Sequence, residues 1–214
     1  MNYELLYELA LTLVPGIGDV NGKKLVAYCG GAEAVFWEKK KSLAKIPGIG
    51  EKTIESIVTQ NVLSRAEKEL AFAEKNKIKI LYYLNPDYPK RLQHCYDSPM
   101  ILYCKGECDL NVDKIIGVVG TRNVTDYGKI MTERIISELV EDDVLVVSGL
   151  AYGVDTCAHQ ASVKNGLKTA AVLAHGLHTI YPQANRMLAK KMLEEGGCLL
   201  TEQISGVEPD RENI

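Results

Sequence analysis

The sequence has no hydrophobic run approaching the roughly 20 apolar residues that cross a bilayer. Its start, Met1-Asn2-Tyr3-Glu4, lacks the basic segment that opens a secretory leader. No membrane is expected as a partner, and a cytoplasmic location is expected. A Gly-Lys-Ser/Thr phosphate loop is absent, and so is a Gly-x-Gly-x-x-Gly fingerprint, which argues against nucleoside triphosphates and dinucleotides and leaves no cofactor implied. The chain has little that suggests a metal centre. Its six cysteines, at 29, 95, 104, 108, 157 and 198, are scattered, several of them inside apolar runs, and read mostly as buried reduced thiols. Cys104-Lys105-Gly106-Glu107-Cys108, with His94 and Cys95 upstream, fits a zinc ribbon poorly and has no second pair, so no metal is expected. A surplus of positive charge is missing as well. The formal net charge is −3: residues 1–77 carry 11 basic and 10 acidic side chains, residues 78–110 carry 4 of each, and residues 111–214 carry 10 and 14. Bulk charge gives no sign of nucleic acid, although the acids at Glu141-Asp142-Asp143 and Glu194-Glu195 fall in helix-to-strand connections. A positive rim at the opposite sheet edge is compatible with that placement.

What is present divides the 214 residues into two expected domains and a connecting segment. Residues 1–77 carry helical periodicity, with a stripe at Leu5, Leu6, Leu9 and Leu13. Val14-Pro15-Gly16-Ile17-Gly18 returns about thirty residues later as Ile46-Pro47-Gly48-Ile49-Gly50, each copy followed by a helix. This repeat is the hairpin of a helix-hairpin-helix unit, so a small all-α, SAM-like domain is expected. Glycines there permit a turn that presents backbone N–H groups at a helix N-terminus to a DNA phosphate. Gly16, Gly18, Gly48, Gly50 and Lys52 are therefore candidates for secondary DNA contacts, with Lys23 and Lys24 beside them; a packing role explains the same residues. Residues 78–110 read as extended pieces around turns, packed on the second domain.

From residue 111 strands and helices alternate, which predicts an α/β domain over 111–214 built on a doubly wound parallel, extended Rossmann-like sheet with right-handed crossovers. The leading stretch is Ile115-Ile116-Gly117-Val118-Val119-Gly120-Thr121-Arg122: a buried strand, a tight turn, then a helix start at Thr125. Such a unit sets N–H groups and a helix N-terminus at a strand end, where a phosphate binds, and Arg122 adds a planar fork of donors. Gly120, Thr121 and Arg122 are the strongest site candidates. Ser148 and Gly149, at the neighbouring strand end, face the same expected crevice, as do Gln183 and Asn185 at a later helix start, where capping is an equal reading. Asp155 and His159 lie four apart on one helix, and His175 and His178 flank Gly176; both sets read better as structural than as acid–base pairs. Tyr152 and Tyr181 are the candidate stacking surfaces.

Taken in order, several motifs resemble one family, the bacterial DNA-processing protein DprA, also called Smf. They are Val119-Gly120-Thr121-Arg122 with Tyr127-Gly128, Val147 through Asp155 with Ala158-His159, Lys168 through Leu173, Gly176-Leu177, and Tyr181-Pro182 with Asn185. The resemblance covers nearly the whole chain, because the family also carries an N-terminal helical domain with Pro-Gly-x-Gly turns. It implies a homodimeric, non-enzymatic protein that binds single-stranded DNA. Such a protein protects incoming strands in natural transformation and loads the RecA recombinase onto them. Arg122 with Gly120 and Thr121 would hold a DNA phosphate, and Ser148 and Gly149 would line its pocket. Two departures stand out. Gln183 occupies the place of a lysine that family members often carry after Tyr-Pro. The family continues through a Phe-Pro-x-Arg-Asn-Arg segment into further strands, whereas this sequence stops at Arg211-Glu212-Asn213-Ile214, so the second domain is expected to be incomplete at its C-terminus. Two rivals remain. One is a lysine-decarboxylase-like hydrolase of nucleoside monophosphates with the same broad fold, whose Pro-Gly-Gly-x-Gly-Thr loop is absent here. The other is an interaction protein that has lost DNA binding.

Overall fold

The computed structural model describes residues 3–210, and the reading of the chain end at Arg211–Ile214 lies outside them. By packing, the chain divides into a unit of residues 1–76 and 80–101 and a unit of residues 77–79 and 102–214.

The first unit is built from α1 (Tyr3–Thr12), α2 (Asp19–Cys29), α3 (Ala32–Trp37), α4 (Lys40–Leu43), α5 (Glu51–Thr59) and α6 (Leu63–Lys75). Leu9, Leu11, Leu25, Val35 and Leu43 are fully buried in it. The two Pro-Gly phrases fold identically. Gly16 and Gly48 take φ of +82° and +78°, which only glycine adopts without strain. The Ile17 N–H donates to the Val14 carbonyl at 3.1 Å, and the Ile49 N–H to that of Ile46 at 3.2 Å. Gly18 and Gly50 stand at the helix N-caps with no side chain bonded to the first-turn N–H groups of α2 and α5.

The segment 78–110 is split between the units. It begins with β1 (Ile78–Tyr82), continues through α7 (Lys90–Gln93) and ends with β2 (Ile101–Gly106). Residues 80–101 belong to the helical unit, contrary to their expected packing on the second domain. The reason is polar as well as apolar. Asp19 accepts the Met100 N–H at 2.6 Å, Lys23 donates to the Ser98 hydroxyl at 2.6 Å, and the Met100 side chain fills the space above Gly22.

The second unit holds β3 (Ile115–Gly117), α8 (Asp126–Glu138), β4 (Leu145–Ser148), α9 (Val154–Lys164), β5 (Thr169–Val172), α10 (Arg186–Glu194) and β6 (Cys198–Thr201). The sheet order is β1-β2-β6-β5-β4-β3. β3, β4, β5 and β6 are parallel, with Gly117 opposite Val147 and Ala170 opposite both Val147 and Cys198, while β2 runs antiparallel to β6. The Rossmann-like α/β class is thus present, in a mixed rather than wholly parallel sheet. The parallel strands advance in one direction, so right-handed crossovers set α8, α9 and α10 on one face, where each packs on the next. Ile136, Val146, Ala161 and Leu167 form the core between helices and sheet, flanked by Ile116, Val118 and Leu139. Ile130 and Ile135 are exposed, because this outermost helix covers its strand with the narrow stripe of Thr132 and Ile136.

Candidate functional site

The C-terminal ends of β3, β4 and β5 open onto a cleft of about 260 Å³, lined by Arg122, Gly149, Tyr152, Asp155, His175 and Tyr181 among others. That is below the roughly 300–1,000 Å³ typical of small-molecule pockets and too small for a dinucleotide.

The turn carrying Arg122 is pinned against the start of α9. The Val154 N–H donates to the Thr121 carbonyl at 3.1 Å. A Cβ on Gly120 would meet Val154 at 2.6 Å, and a Cβ on Gly153 would stand 2.1 Å from the Thr121 carbonyl oxygen. Both glycines therefore serve close approach of loop and helix. Thr121 is exposed and its hydroxyl accepts the Asn123 N–H at 3.2 Å. Arg122 is exposed on the cleft wall, and among the described residues its guanidinium has no ion-pair partner.

The opposite wall is held by Asp155. Its buried carboxylate accepts the Gly149 and Ala151 N–H groups at 3.1 and 3.4 Å, tying the β4–α9 loop to the helix that follows. Gly149 lines the cleft, where a Cβ would collide with that carboxylate at 2.7 Å. Tyr152 and Tyr181 line the cleft and are 49% and 44% exposed.

Three expected site residues lie elsewhere. Ser148 is buried and donates its hydroxyl to the Val118 carbonyl at 2.6 Å, a link between strands rather than a lining group. Asn185 is also buried. Its amide donates at 2.8 Å to both the Leu150 carbonyl and the Thr156 hydroxyl, so it clips the β4–α9 loop from behind. Gln183 is exposed but faces a separate depression with His178 and Arg186. Two of the four histidines, His159 and His175, are internal, whereas His178 is exposed with Nε2 3.1 Å from a Glu208 carboxylate oxygen. His159 sits fully buried with Nδ1 2.8 Å from the Thr169 hydroxyl, which itself donates to the Val146 carbonyl and so accepts from His159. Burial pulls the His159 pKa down to about 4. His175 is buried with one nitrogen at the Gly176 carbonyl and the other accepting the Tyr181 N–H. Gly153, which seats the arginine turn, was the residue whose role the sequence concealed. In the helical unit Lys52 is exposed, the Lys24 ammonium lies beside the Gly48 turn, and Lys23 is spent on Ser98. Among the described residues no three His, Cys, Asp or Glu side chains are arranged to hold a metal, and no helix is long and apolar enough to cross a membrane.

Residues 79–214 match the family described as DNA recombination-mediator protein A, and residues 8–60 match the SAM-like helix-hairpin-helix tandem. The chain belongs to the DprA/Smf family. It is 35% identical to protein Smf of a Synechocystis species over all of this chain and 54% of that protein. It superimposes on the X-ray structure of DprA from Streptococcus pneumoniae with a TM-score of 0.76, at 29% identity over 97% of this chain and 71% of that one. DNA processing protein A of Helicobacter pylori, described for its single-stranded DNA binding mode, matches with a TM-score of 0.55 at 27% identity, over 64% of this chain and 60% of that one. The chain spans about half the length of the curated DprA and Smf relatives it matches.

Proposed function

We propose that this chain binds single-stranded DNA without reading its sequence, with a backbone phosphate held at Arg122 beside Gly120, Thr121 and Gly149. The observation that carries this reading is an exposed arginine at the mouth of a strand-end cleft with no ion-pair partner among the described residues. Half-exposed Tyr152 and Tyr181 support unpaired rather than duplex DNA, since stacking on an aromatic ring needs a splayed base; each stacked base contributes about 1–3 kcal/mol. Asp155 Oδ2 and both nitrogens of His175 are engaged with backbone groups inside the fold, which favours binding over hydrolysis of a nucleoside monophosphate. Gly16, Gly18, Gly48, Gly50 and Lys52 offer a second phosphate contact on the helical unit through uncapped first turns.

Family membership supports the wider role: protection of incoming strands in transformation, loading of RecA, homodimerisation, and action in the cytoplasm without catalysis. Fluorescence anisotropy with a labelled oligothymidylate tests the binding. The parent should bind and Arg122→Ala should bind at least tenfold more weakly, one charge-assisted contact being about 1.5–3 kcal/mol. Equal binding by both proteins, or release of base from nucleoside monophosphates, would overturn the reading.

A further inference from the structure

A groove of about 930 Å³ belongs wholly to the helical unit, walled by α1, the end of α2, α3 and the residues that close β1. Glu4, Glu8 and Glu33 bring three carboxylates to its walls, and no lysine, arginine or histidine lines it. Among the described residues none of these carboxylates has an ion-pair partner. Glu8 is only 8% exposed, and a charged side chain is almost never buried that far without a counter-charge. Burial, and after it Glu4, raises the Glu8 pKa to about 7. The Tyr82 hydroxyl, buried at the same wall, has no hydrogen-bond partner either.

We propose that this groove docks an arginine-bearing segment of a partner protein, with a guanidinium set between Glu4 and Glu8. The two residues stand one turn apart on α1, so their side chains are neighbours and their charges repel until a cation joins them. The last turn of α2 lines the groove through Val26, Ala27 and Gly30, and its terminal carbonyls add partial negative charge. Trp37 and Leu84 border the groove and are 73% and 62% exposed. A guanidinium stacks on an indole face while its carbon stem covers apolar surface, a fit that an ammonium matches less well. The same wall shows such a pairing within the chain: the Lys23 ammonium, bonded to Ser98, lies 5.5 Å from the centroid of the Tyr83 ring.

Charge and size select this occupant over others. A nucleic-acid phosphate would meet three carboxylates and no cation. The groove has more than three times the volume of the Arg122 cleft, about 930 against 260 Å³, and stands at the upper end of the range for small-ligand pockets. That is room for several residues rather than for one amine, and a polyamine has no side chains to cover Trp37 and Leu84. The groove shares no residue with the Arg122 cleft, so a partner docked here leaves the proposed phosphate contact unoccupied.

Trp37 is the single tryptophan of the chain, so its emission reports the groove. The full chain is titrated at pH 8, where Glu8 is ionised, with an acetylated, amidated octapeptide of alternating leucine and arginine. A saturable shift of the emission is expected. Glu8→Gln should weaken binding about tenfold or more, and Glu4→Gln about threefold. Glu141→Gln, which removes the same charge from the exposed surface of the second unit, should leave the titration unchanged. Glu8→Gln keeps the size of the side chain and discards an uncompensated buried charge, so the fold is retained. The proposal is overturned if the parent shows no saturable shift or if Glu8→Gln binds as tightly as the parent. It is also overturned if a leucine–glutamate octapeptide shifts the emission equally, or if spermidine does, which would make the groove a small-cation site.

Discussion

Replacing Gly153 by alanine should damage both the fold of the second unit and its grip on DNA. The backbone at this position has φ +81° and ψ −125°, a conformation essentially reserved for glycine, which costs another residue about 1–3 kcal/mol. The added Cβ would also stand 2.1 Å from the Thr121 carbonyl oxygen and 2.6 Å from that of Arg122. Ordinary contact begins near 3.4 Å, so the turn and the helix must separate by 3.4 − 2.1 = 1.3 Å. With both effects the loss is about 3–5 kcal/mol, or a fall in melting temperature of roughly 6–20 °C for a chain of this size. Gly166→Ala is the control: it has φ +73° but no neighbouring atom within 4 Å, so it bears only the conformational cost, about 1–2 kcal/mol. Because the displaced atoms belong to Thr121 and Arg122, oligonucleotide affinity should fall roughly tenfold in Gly153→Ala, equivalent to most of one charge-assisted hydrogen bond, and stay unchanged in Gly166→Ala. Calorimetry and anisotropy on the two variants read both effects. Equal melting of the two, or parental DNA affinity in Gly153→Ala, would refute the account of how the turn is seated.

Other outcomes follow from the same structure. The two units should respond to pH in opposite directions. His159 is ordinarily protonated below 6.5 but is held to about 4 by burial, so its contribution of about 3 kcal/mol is present above pH 6.5 and lost as the pH falls through 4. Glu8 is raised from 4.5 to about 7 by burial and then by Glu4, so its contribution is present below pH 4.5 and lost as the pH rises through 7. Discounted for the open groove it lines, that contribution is about 1–2 kcal/mol, and Glu8→Gln should recover it at pH 8. Amide exchange at pH 5 and pH 8 would report the two units separately. Asn185→Ala leaves the buried Leu150 carbonyl without its donor and should cost about 1–3 kcal/mol by denaturant melt, as a clip and not a ligand. Gln183→Lys, facing a different depression, should change oligonucleotide affinity less than about twofold by anisotropy.

Much of this molecule is legible in its sequence because the informative signals are local. The doubled Pro-Gly phrase dictates two identical turns, since a positive φ and the residues flanking it fix the hydrogen bonds. The runs at 144–147, 169–173 and 198–201 declare strands that are largely buried, and small residues at their ends declare a crevice; the run at 115–119 also forms a strand, but at the sheet edge, where it is half-buried and Val119 is exposed instead of buried as expected. What escaped depends on side-chain direction. Ser148 ends a strand at the cleft, but strand alternation turns its hydroxyl toward Val118. Asn185 begins a helix near the cleft, yet it reaches back to bond the β4–α9 loop. Gln183 follows the cleft-lining Pro182 and faces away. The split of 78–110 was equally hidden, because Asp19 and Lys23, far away in sequence, recruit Met100 and Ser98 into the helical unit. The arrangement of Gly120 and Gly153 about Val154 and Thr121 exists only once strand, turn and helix are assembled.

The central claim, a backbone phosphate gripped at Arg122, is tested most directly by the salt dependence of oligonucleotide binding in the parent and in Arg122→Ala. On a plot of log affinity against log salt concentration, removing one phosphate contact to a single strand should make the slope shallower by about 0.7, together with the loss of affinity. Two parallel lines, with affinity reduced or not, would show that the guanidinium at position 122 neutralises no phosphate and would contradict the account.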